Sequence, residues 1–308
     1  MNYKPFCETE LLFTSKKGME NKLNEMDGKN IGLVMSESSA HRWNMDNFIN
    51  GLKRKCESKL KGNFIWIKSI ATNPTQRDIF NALKQIGNTP IDAIFVFGGG
   101  SAIDLAKGIS VFHSSNYSIE EITQSIKSKD YRQWATIWDN DKSGKFSIDA
   151  PELKPKLAII VPELTLTLPN DLTLSTGLDA MSHAVEAYWS KYTTPLVQDL
   201  AYRAVELIVE NLKRAVMEPQ NLVVRERLCR ASLLAGLAFS QTRTTACHSI
   251  SYPLTMLYDI PHGFAVALTL EAVAKINRGN FPNDNELFKL FSMEVKGKDT
   301  NIESNIGI

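Results

Sequence analysis

The sequence predicts a parallel α/β domain in the first half of the chain and an all-helical domain in the second half. Short β-branched and aromatic runs alternate with amphipathic stretches as far as residue 97, which is typical of a doubly wound parallel sheet. From Pro169 onward, apolar residues such as Leu200, Ala204 and Ile208 recur at helical spacing. The 308 residues, 43% of them hydrophobic and 22% charged, are sufficient for two ordinary globular domains.

The elements of the first half follow from local patterns. Strands are predicted at 31–35, 64–67 and 91–97, with helices at 41–60 and 76–86. Two further strands are predicted at 135–138 and 145–148, on either side of a segment rich in Asp, Asn and Gly. Those residue types favour a tight reversal, so this part is predicted to be a β-hairpin.

The boundary between the two halves is predicted from a change of period. Prolines stand at positions 162 and 169, where β-branched runs give way to a 3.6-residue repeat. The sequence therefore predicts an α/β domain at 1–165 and a helical domain at 166–308.

Charge, hydropathy and cysteine content exclude several classes of function. Lys and Arg number 35 against 34 Asp and Glu, so the chain offers no basic surface for nucleic acid. No segment approaches the roughly 18 uninterrupted apolar residues of a membrane span, and the first residues lack the apolar core of a signal peptide. The four cysteines form no C-x-x-C pair, which argues against a zinc knuckle or a disulfide scaffold. These features predict a cytoplasmic protein.

A glycine-rich turn follows the third predicted strand and opens a helix. The segment 98–107 is GGGSAIDLAK. At such a junction, free backbone N–H groups and the positive helix end attract a phosphate, and glycine permits a close approach. The spacing differs from G-x-G-x-x-G, so an alternative stays open: a strand-to-helix turn with Ser101 as N-cap and Asp104 completing the cap.

Four residues of the second half are suited to metal binding. Asp179 and His183 are four apart, so on a helix they lie on one face and can reach one ion. His248 and His262 lie in a region interrupted by two prolines, which permits a fold-back toward the same ion. Three imidazoles and one carboxylate suit Fe(II) or Zn(II) and leave a position for a substrate oxygen. The alternative is that each histidine is an isolated surface or core residue.

Together, these segments resemble the iron-containing, or group III, alcohol dehydrogenase family. The resemblance rests on 98–107, on 175–188 (STGLDAMSHAVEAY), on Cys247-His248 and on 260–263 (IPHG). It implies a Rossmann-like amino-terminal domain, a helical carboxy-terminal domain, NADH or NADPH as cofactor, and a small aldehyde or alcohol as substrate. It also implies a homodimer or larger homo-oligomer.

The resemblance assigns site residues in both domains. The implied ligands of Fe(II), with Zn(II) as the other candidate, are Asp179, His183, His248 and His262. The implied cofactor-binding residues are Gly98, Gly99, Gly100, Ser101, Asp104, Asn73 and Lys145. Ser36 stands where NAD-preferring members often place an acidic residue that repels a 2′-phosphate, so NADPH is expected to be accepted too.

Within the family, 135–139 and 245–255 look most like the phosphonoacetaldehyde reductase branch. Arg243 is the candidate for binding the phosphonate, since a guanidinium can hold two of its oxygens; the alternative is a helix-end arginine paired with a carboxylate. Tyr252 lies where many relatives have a further histidine. It is the candidate proton donor, and the alternative is a packed aromatic ring.

Two departures from the family keep other functions open. After Arg132 the chain lacks a Thr/Gly-rich loop that normally touches the cofactor, and after Phe291 the helical pattern is lost. One alternative is a non-catalytic or impaired relative without part of the cofactor site. The other is a related enzyme with another small polar substrate.

Overall fold

The computed structural model describes residues 8–25, 30–71, 73–113, 118, 120–122, 134–138, 145–149 and 153–293. The chain divides into two compact units, an amino-terminal unit at 1–160 and a carboxy-terminal unit at 161–308.

The amino-terminal unit alternates strands and helices. In chain order these are β1 (Glu10–Phe13), α1 (Lys16–Glu25), β2 (Ile31–Val34), α2 (Glu37–Arg42), α3 (Asp46–Arg54) with a following π-helical turn (Lys55–Lys59), β3 (Phe64–Ile67), α4 (Gln76–Ile86), β4 (Ala93–Val96), α5 (Gly100–Phe112), β5 (Trp134–Trp138), β6 (Lys145–Asp149) and β7 (Leu157–Ile160).

A parallel sheet with the strand order β3-β2-β4 confirms the predicted α/β class. In the central strand, Leu33 lies opposite Trp66 on one side and Phe95 on the other. All four residues of β2 are buried, which explains their uninterrupted apolar sequence. The predicted hairpin is also confirmed, because β5 and β6 pair antiparallel.

Two elements differ from the prediction. A second parallel pair, β1 with β7, was not predicted; both strands are only four residues long and no residue of either is fully buried. The predicted helix 41–60 is wrong as a single helix. It is divided near Asn44, which adopts the left-handed conformation with φ 50° and separates α2 from α3.

Two helices of the amino-terminal unit place the glycine-rich turn. Helix α4 begins with a capping box in which Thr75 and Asp78 exchange side-chain and backbone hydrogen bonds, and its predicted bounds are confirmed. Helix α5 buries Leu105 and Ile109 in the same apolar core as Ile79 of α4. Because α5 begins directly after the turn, this core fixes the position of the glycines.

The carboxy-terminal unit is helical, as predicted. A 3₁₀ turn (Pro162–Thr165) precedes α6 (Asn170–Trp189), α7 (Pro195–Met217), α8 (Leu222–Thr242), α9 (Ala246–Tyr258), α10 (His262–Asn277) and α11 (Asp284–Met293). Helices α6, α7 and α8 pack against one another, and α10 packs against α6 and α9. Within the described ranges, no helix has both the length and the apolar character needed to cross a membrane.

Gly263 permits a close crossing of α10 and α6. A Cβ atom at this position would lie 1.9 Å from the backbone oxygen of Ser175, a distance that real atoms do not adopt. His262 is the neighbouring residue, so this crossing also determines where its imidazole lies. The close packing of α10 on α6 therefore requires a residue without a Cβ atom at position 263.

We expect Gly263→Ala to lower the free energy of unfolding by about 1–3 kcal/mol, because the methyl group forces the two backbones apart. Urea denaturation followed by circular dichroism measures the change. Gly236→Ala on α8 is the matched control: no described atom lies within 4 Å of its Cβ position. That variant should be about 0.5–1 kcal/mol more stable than the parent, as for alanine over glycine in a helix. Equal stability of the two variants would contradict the close crossing.

Candidate functional site

Three side chains suited to metal binding converge in the carboxy-terminal unit. Asp179 lies in the middle of α6, His248 in the first turn of α9, and His262 is the first residue of α10. Oδ1 of Asp179 lies 3.4 Å from Nε2 of His248 and 3.7 Å from Nε2 of His262. One ligand atom from each residue falls within 4.8 Å of the others. Metal–ligand bonds of about 2.0–2.2 Å place the ligand atoms of one cation roughly 3–3.5 Å apart. The two distances measured from Oδ1 of Asp179 are close to that range.

Two of these ligand atoms are buried polar atoms that form no hydrogen bond with the part of the chain that the structure describes. Oδ1 of Asp179 and Nε2 of His248 have no hydrogen-bond partner among the described residues. A buried polar atom in this state is destabilising unless another group satisfies it. A divalent cation would satisfy both atoms, and a carboxylate with imidazoles is a donor set that suits Fe(II) and Zn(II). The residues present therefore fit such a cation.

The fourth predicted ligand, His183, lies beside the three convergent atoms. Its ring stacks between Phe239, at a centroid distance of 4.3 Å, and His248, at 4.4 Å. Its Nδ1 atom lies 3.9 Å from Oδ2 of Asp179. The helical spacing of four thus brings Asp179 and His183 to one face of α6, as predicted. The contact with Phe239 was not predicted, because it depends on the packing of α8 against α6.

The electrostatic surroundings keep a negative charge at the centre of this group. Burial alone would raise the pKa of Asp179, but the three neighbouring histidines outweigh it and lower the pKa to about 2. Burial lowers the pKa of His183 to about 4, so its imidazole is neutral at pH 7. For His248, burial is outweighed by the Asp179 and Glu186 carboxylates, which raise the pKa to about 8.

Glu186 is a residue of this site that the sequence analysis missed. It is completely buried on α6, and its Oε2 atom accepts a hydrogen bond from Nδ1 of His248. The signal that could have found it is its spacing, since positions 179, 183 and 186 follow the i, i+4, i+7 pattern of one helix face. Its other partners, Thr245 and Cys247 at the beginning of α9, are separated from it by about sixty residues and carry no such signal.

The two predicted catalytic residues lie on either side of His248 in the sequence. The ring of Tyr252 is nearly parallel to that of His262, at a centroid distance of 6.4 Å, and burial raises the pKa of its phenol. Arg243 is exposed and is the C-cap of α8, with φ 73° and ψ 166°. Arg243 therefore lies at the end of a helix, and its binding of a phosphonate stays a prediction.

The glycine-rich turn lies between β4 and α5 in the amino-terminal unit. Gly99 is the N-cap of α5, which makes the alternative of a Ser101 cap wrong. Instead, the Ser101 hydroxyl accepts a hydrogen bond of 3.2 Å from the backbone N–H of Asn73. A Cβ atom at Gly98 would lie 2.6 Å from that of Ala102, whereas no described atom lies within 4 Å of the Cβ positions of Gly99 and Gly100. The first amides of the helix thus border open space that an anion can approach.

The remaining predicted cofactor residues are placed as follows. Ser36 follows β2 and caps α2, its hydroxyl accepting the N–H of Ser39. Asp104 lies on α5 one turn before Lys107. Burial lowers the pKa of Lys107, and the negative charge of Asp104 opposes this effect without cancelling it. Lys145 begins β6, and its side chain lies outside the described residues. Arg132 and Gln133, where the sequence predicts that a family loop is missing, also lie outside them, and the described chain resumes with β5 at Trp134. Helix α11 continues to Met293, two residues beyond the predicted loss of helical pattern.

Comparison with known protein families gives two adjacent matches. Residues 14–162 match the family model of the iron-containing alcohol dehydrogenases, and residues 173–304 match the carboxy-terminal model of the Fe-containing alcohol dehydrogenase family. The two matches together span both units of the chain.

Curated relatives and solved structures agree with these matches. The chain is 30% identical over 262 residues to 1-propanol dehydrogenase PduQ of Salmonella typhimurium, covering 83% of this chain and 69% of that protein. It is 33% identical over 225 residues to 1,3-propanediol dehydrogenase of Citrobacter freundii, covering 68% of this chain but only 58% of that protein.

Two solved structures share the fold. An alcohol dehydrogenase from Oenococcus oeni has a TM-score of 0.82 at 22% identity, covering 100% of this chain and 88% of that one. Sulfoacetaldehyde reductase from Bifidobacterium kashiwanohense, in complex with NAD+, has a TM-score of 0.80 at 24% identity, covering 95% and 86%. With both family models and the Salmonella relative in agreement, the chain belongs to the iron-containing alcohol dehydrogenase family of oxidoreductases.

Proposed function

We propose that the chain is a metal-dependent, nicotinamide-linked reductase that interconverts a small aldehyde and its alcohol. The observation that supports this most directly is the convergence of Asp179, His248 and His262, two of whose buried ligand atoms have no hydrogen-bond partner among the described residues. A strand-to-helix junction suited to a pyrophosphate lies in the other unit of the same chain. Membership of the family supports the same chemistry.

The proposed metal ligands are Asp179, His248 and His262, with His183 as the fourth. Fe(II) is the proposed cation, and Zn(II) is compatible with the same donors. When bound, the cation supplies Lewis acidity toward a carbonyl oxygen, and the reduced nicotinamide supplies a hydride. The ionised Asp179 provides the charge that attracts the cation, and the stacking of His183 on Phe239 restricts the orientation of its ring.

The proposed proton donor is the phenol of Tyr252. Burial raises its pKa, so the Oη atom keeps its proton at neutral pH and can give it to the oxygen of the product alcohol. The parallel contact with the His262 ring places the tyrosine beside the proposed metal ligands.

The proposed cofactor site is the glycine-rich turn with the residues around it. The backbone amides of Gly99, Gly100 and Ser101 are the proposed donors to the pyrophosphate, and open space at the Cβ positions of Gly99 and Gly100 supports this assignment. Gly98 brings the strand close to α5. Because the Ser101 oxygen already accepts the N–H of Asn73, its own hydrogen remains for a phosphate oxygen. Further proposed contacts are those of Asp104 and Lys145. Ser36 carries no charge that would repel a 2′-phosphate, so both NADH and NADPH are proposed cofactors.

The proposed substrate is a small aldehyde with an anionic group, such as phosphonoacetaldehyde. The backbone conformation of Arg243 supports this proposal. Glycine adopts φ 73° with ψ 166° readily, whereas other residues do so at a conformational free energy of about 1–3 kcal/mol. A strained backbone at a charged residue favours a functional role for its side chain. A relative of the same fold is a sulfoacetaldehyde reductase, whose substrate is also an anionic aldehyde.

Replacing His262 by Ala is expected to abolish aldehyde reduction, because it removes one of the three convergent ligand atoms. The side chain is 42% exposed, so the fold should tolerate its loss. The measurement is the loss of reduced-nicotinamide absorbance with anaerobically purified, Fe(II)- or Zn(II)-loaded protein and a panel of aldehydes, together with metal content. His41→Ala is the control. It removes an exposed histidine of the amino-terminal unit that pairs with Asp46 of the same unit.

Full activity and metal content in His262→Ala would rule out the proposed ligand set. If the folded, metal-loaded parent reduces none of the aldehydes with either cofactor, the impaired relative becomes the better interpretation.

Replacing Gly99 by Val is expected to weaken NADH binding by about tenfold or more, equivalent to about 1.4 kcal/mol. The side chain would enter open space, so it should compete with the pyrophosphate without disturbing the protein core. Fluorescence titration of NADH measures the affinity. Gly51→Val on α3 is the matched control, because its Cβ position also has no described atom within 4 Å. Equal affinities of both variants would count against the glycine-rich turn as the cofactor site.

Two variants of Arg243 separate its side chain from its backbone. Arg243→Ala and Arg243→Gly should each raise the KM for phosphonoacetaldehyde by about tenfold or more, since a lost charge-assisted pair is worth about 1.5–3 kcal/mol. The KM for propionaldehyde should change little. Arg243→Gly should also unfold at higher urea concentration than Arg243→Ala, because glycine relieves the strained φ. Equal effects on both aldehydes would remove the proposed role of the guanidinium.

A further inference from the structure

Glu186 is a fully buried carboxylate in contact with the proposed metal site but outside its ligand set. It lies on α6, seven residues after Asp179, and its side chain is 0% exposed. Burying a carboxylate is strongly destabilising unless hydrogen-bond donors surround it. The position therefore requires partners for both carboxylate oxygens, and the structure provides four.

The Oε1 atom of Glu186 binds the beginning of helix α9. It accepts hydrogen bonds from the N–H of Thr245 at 3.0 Å, the hydroxyl of Thr245 at 2.5 Å and the N–H of Cys247 at 2.8 Å. Thr245 is the N-cap of α9, and its own side chain makes no capping bond. Glu186 therefore supplies from another helix the acceptor that an N-cap side chain normally provides.

The Oε2 atom of Glu186 binds His248, in the first turn of α9. It accepts the hydrogen bond of Nδ1 of His248. An ionised carboxylate can only accept, so the proton of this bond lies on Nδ1. The other ring nitrogen, Nε2, faces Oδ1 of Asp179 at 3.4 Å. A cation that binds Nε2 displaces any proton there, while the proton on Nδ1 stays bonded to Glu186; second contacts of this kind set the orientation of metal-binding histidines.

We propose that Glu186 is a positioning residue that fixes the tautomer and the ring orientation of His248 for metal binding. The inference rests on the proposed function, because it takes His248 as a ligand. A single carboxylate thereby holds both the helix end that carries the ligand and the ligand's own ring. The distance between Asp179 on α6 and His248 on α9 is then maintained by hydrogen bonds that do not involve the metal.

Glu186→Gln distinguishes positioning from capping. The amide oxygen must take the place of Oε1, because three donors meet there and an NH₂ group cannot accept them. The amide NH₂ group then faces Nδ1 of His248. Two donors cannot bond to each other, so the ring has to move its proton to Nε2 or turn away. The variant keeps the cap of α9 and loses the ligand tautomer.

The experiment measures Zn(II) affinity by competition with a chromophoric chelator. Glu186→Gln should bind Zn(II) about 10- to 100-fold more weakly than the parent, as for other contacts that orient a metal ligand. Thr245→Val is the matched control, since it removes one donor to Oε1 and leaves the contact between Oε2 and His248. It should unfold at lower urea concentration and keep its affinity within about threefold. A purely structural role predicts the reverse order of affinities, and that result would overturn the proposal.

A second measurement is independent of metal binding and of the folding of the variants. Nitrogen-15 NMR of the metal-free parent should show a slowly exchanging proton on Nδ1 of His248, bonded to Glu186. Absence of that proton would overturn the inference. Its presence in a parent that binds no Zn(II) would overturn the ligand set of the proposed function and leave the orientation of His248 by Glu186 in place.

Discussion

The buried carboxylate of Glu186 is the interaction on which the geometry of the carboxy-terminal unit depends. One of its oxygens is bound by Thr245 and Cys247 at the beginning of α9, and the other by His248. A carboxylate in this environment is stable only while its donors stay in place. Helix α9 is therefore tied to α6 at the one end where a predicted metal ligand lies.

The close crossing of α10 and α6 fixes the position of a second predicted ligand, His262, relative to α6. Gly263 allows the backbone of α10 to approach Ser175, and His262 is thereby held next to Asp179. Three helices thus present one ligand atom each, over a span of less than 5 Å. Arg243, in the short connection before α9, has a backbone conformation that is favourable for glycine and strained for other residues. This connection therefore contains both a strained backbone and a charged side chain.

Sequence patterns predicted much of the amino-terminal unit because local physics determines its elements. The capping box of Thr75 and Asp78 defines where α4 begins, and the apolar run of β2 is what a fully buried parallel strand requires. The break at Asn44 could not be found in this way. An amphipathic pattern continues across it, and only the left-handed backbone at Asn44 shows that the chain turns there. The pairing of β1 with β7 joins residues about 147 apart, as Glu10 with Leu157, and has no local signature.

The sequence by itself determined two local features. The face of α6 that carries Asp179 and His183 follows from their spacing of four, and the glycine-rich turn follows from its place between a strand and a helix. The prolines between His248 and His262, together with the family resemblance, predicted that these two histidines reach the same ion. Only the tertiary structure showed that Glu186 joins them, that Phe239 stacks on His183, and that Ser101 accepts a backbone bond and does not cap its helix. The physical reason is that spacing along a helix is fixed by local hydrogen bonding, whereas contacts between helices depend on packing that no short segment of the chain encodes.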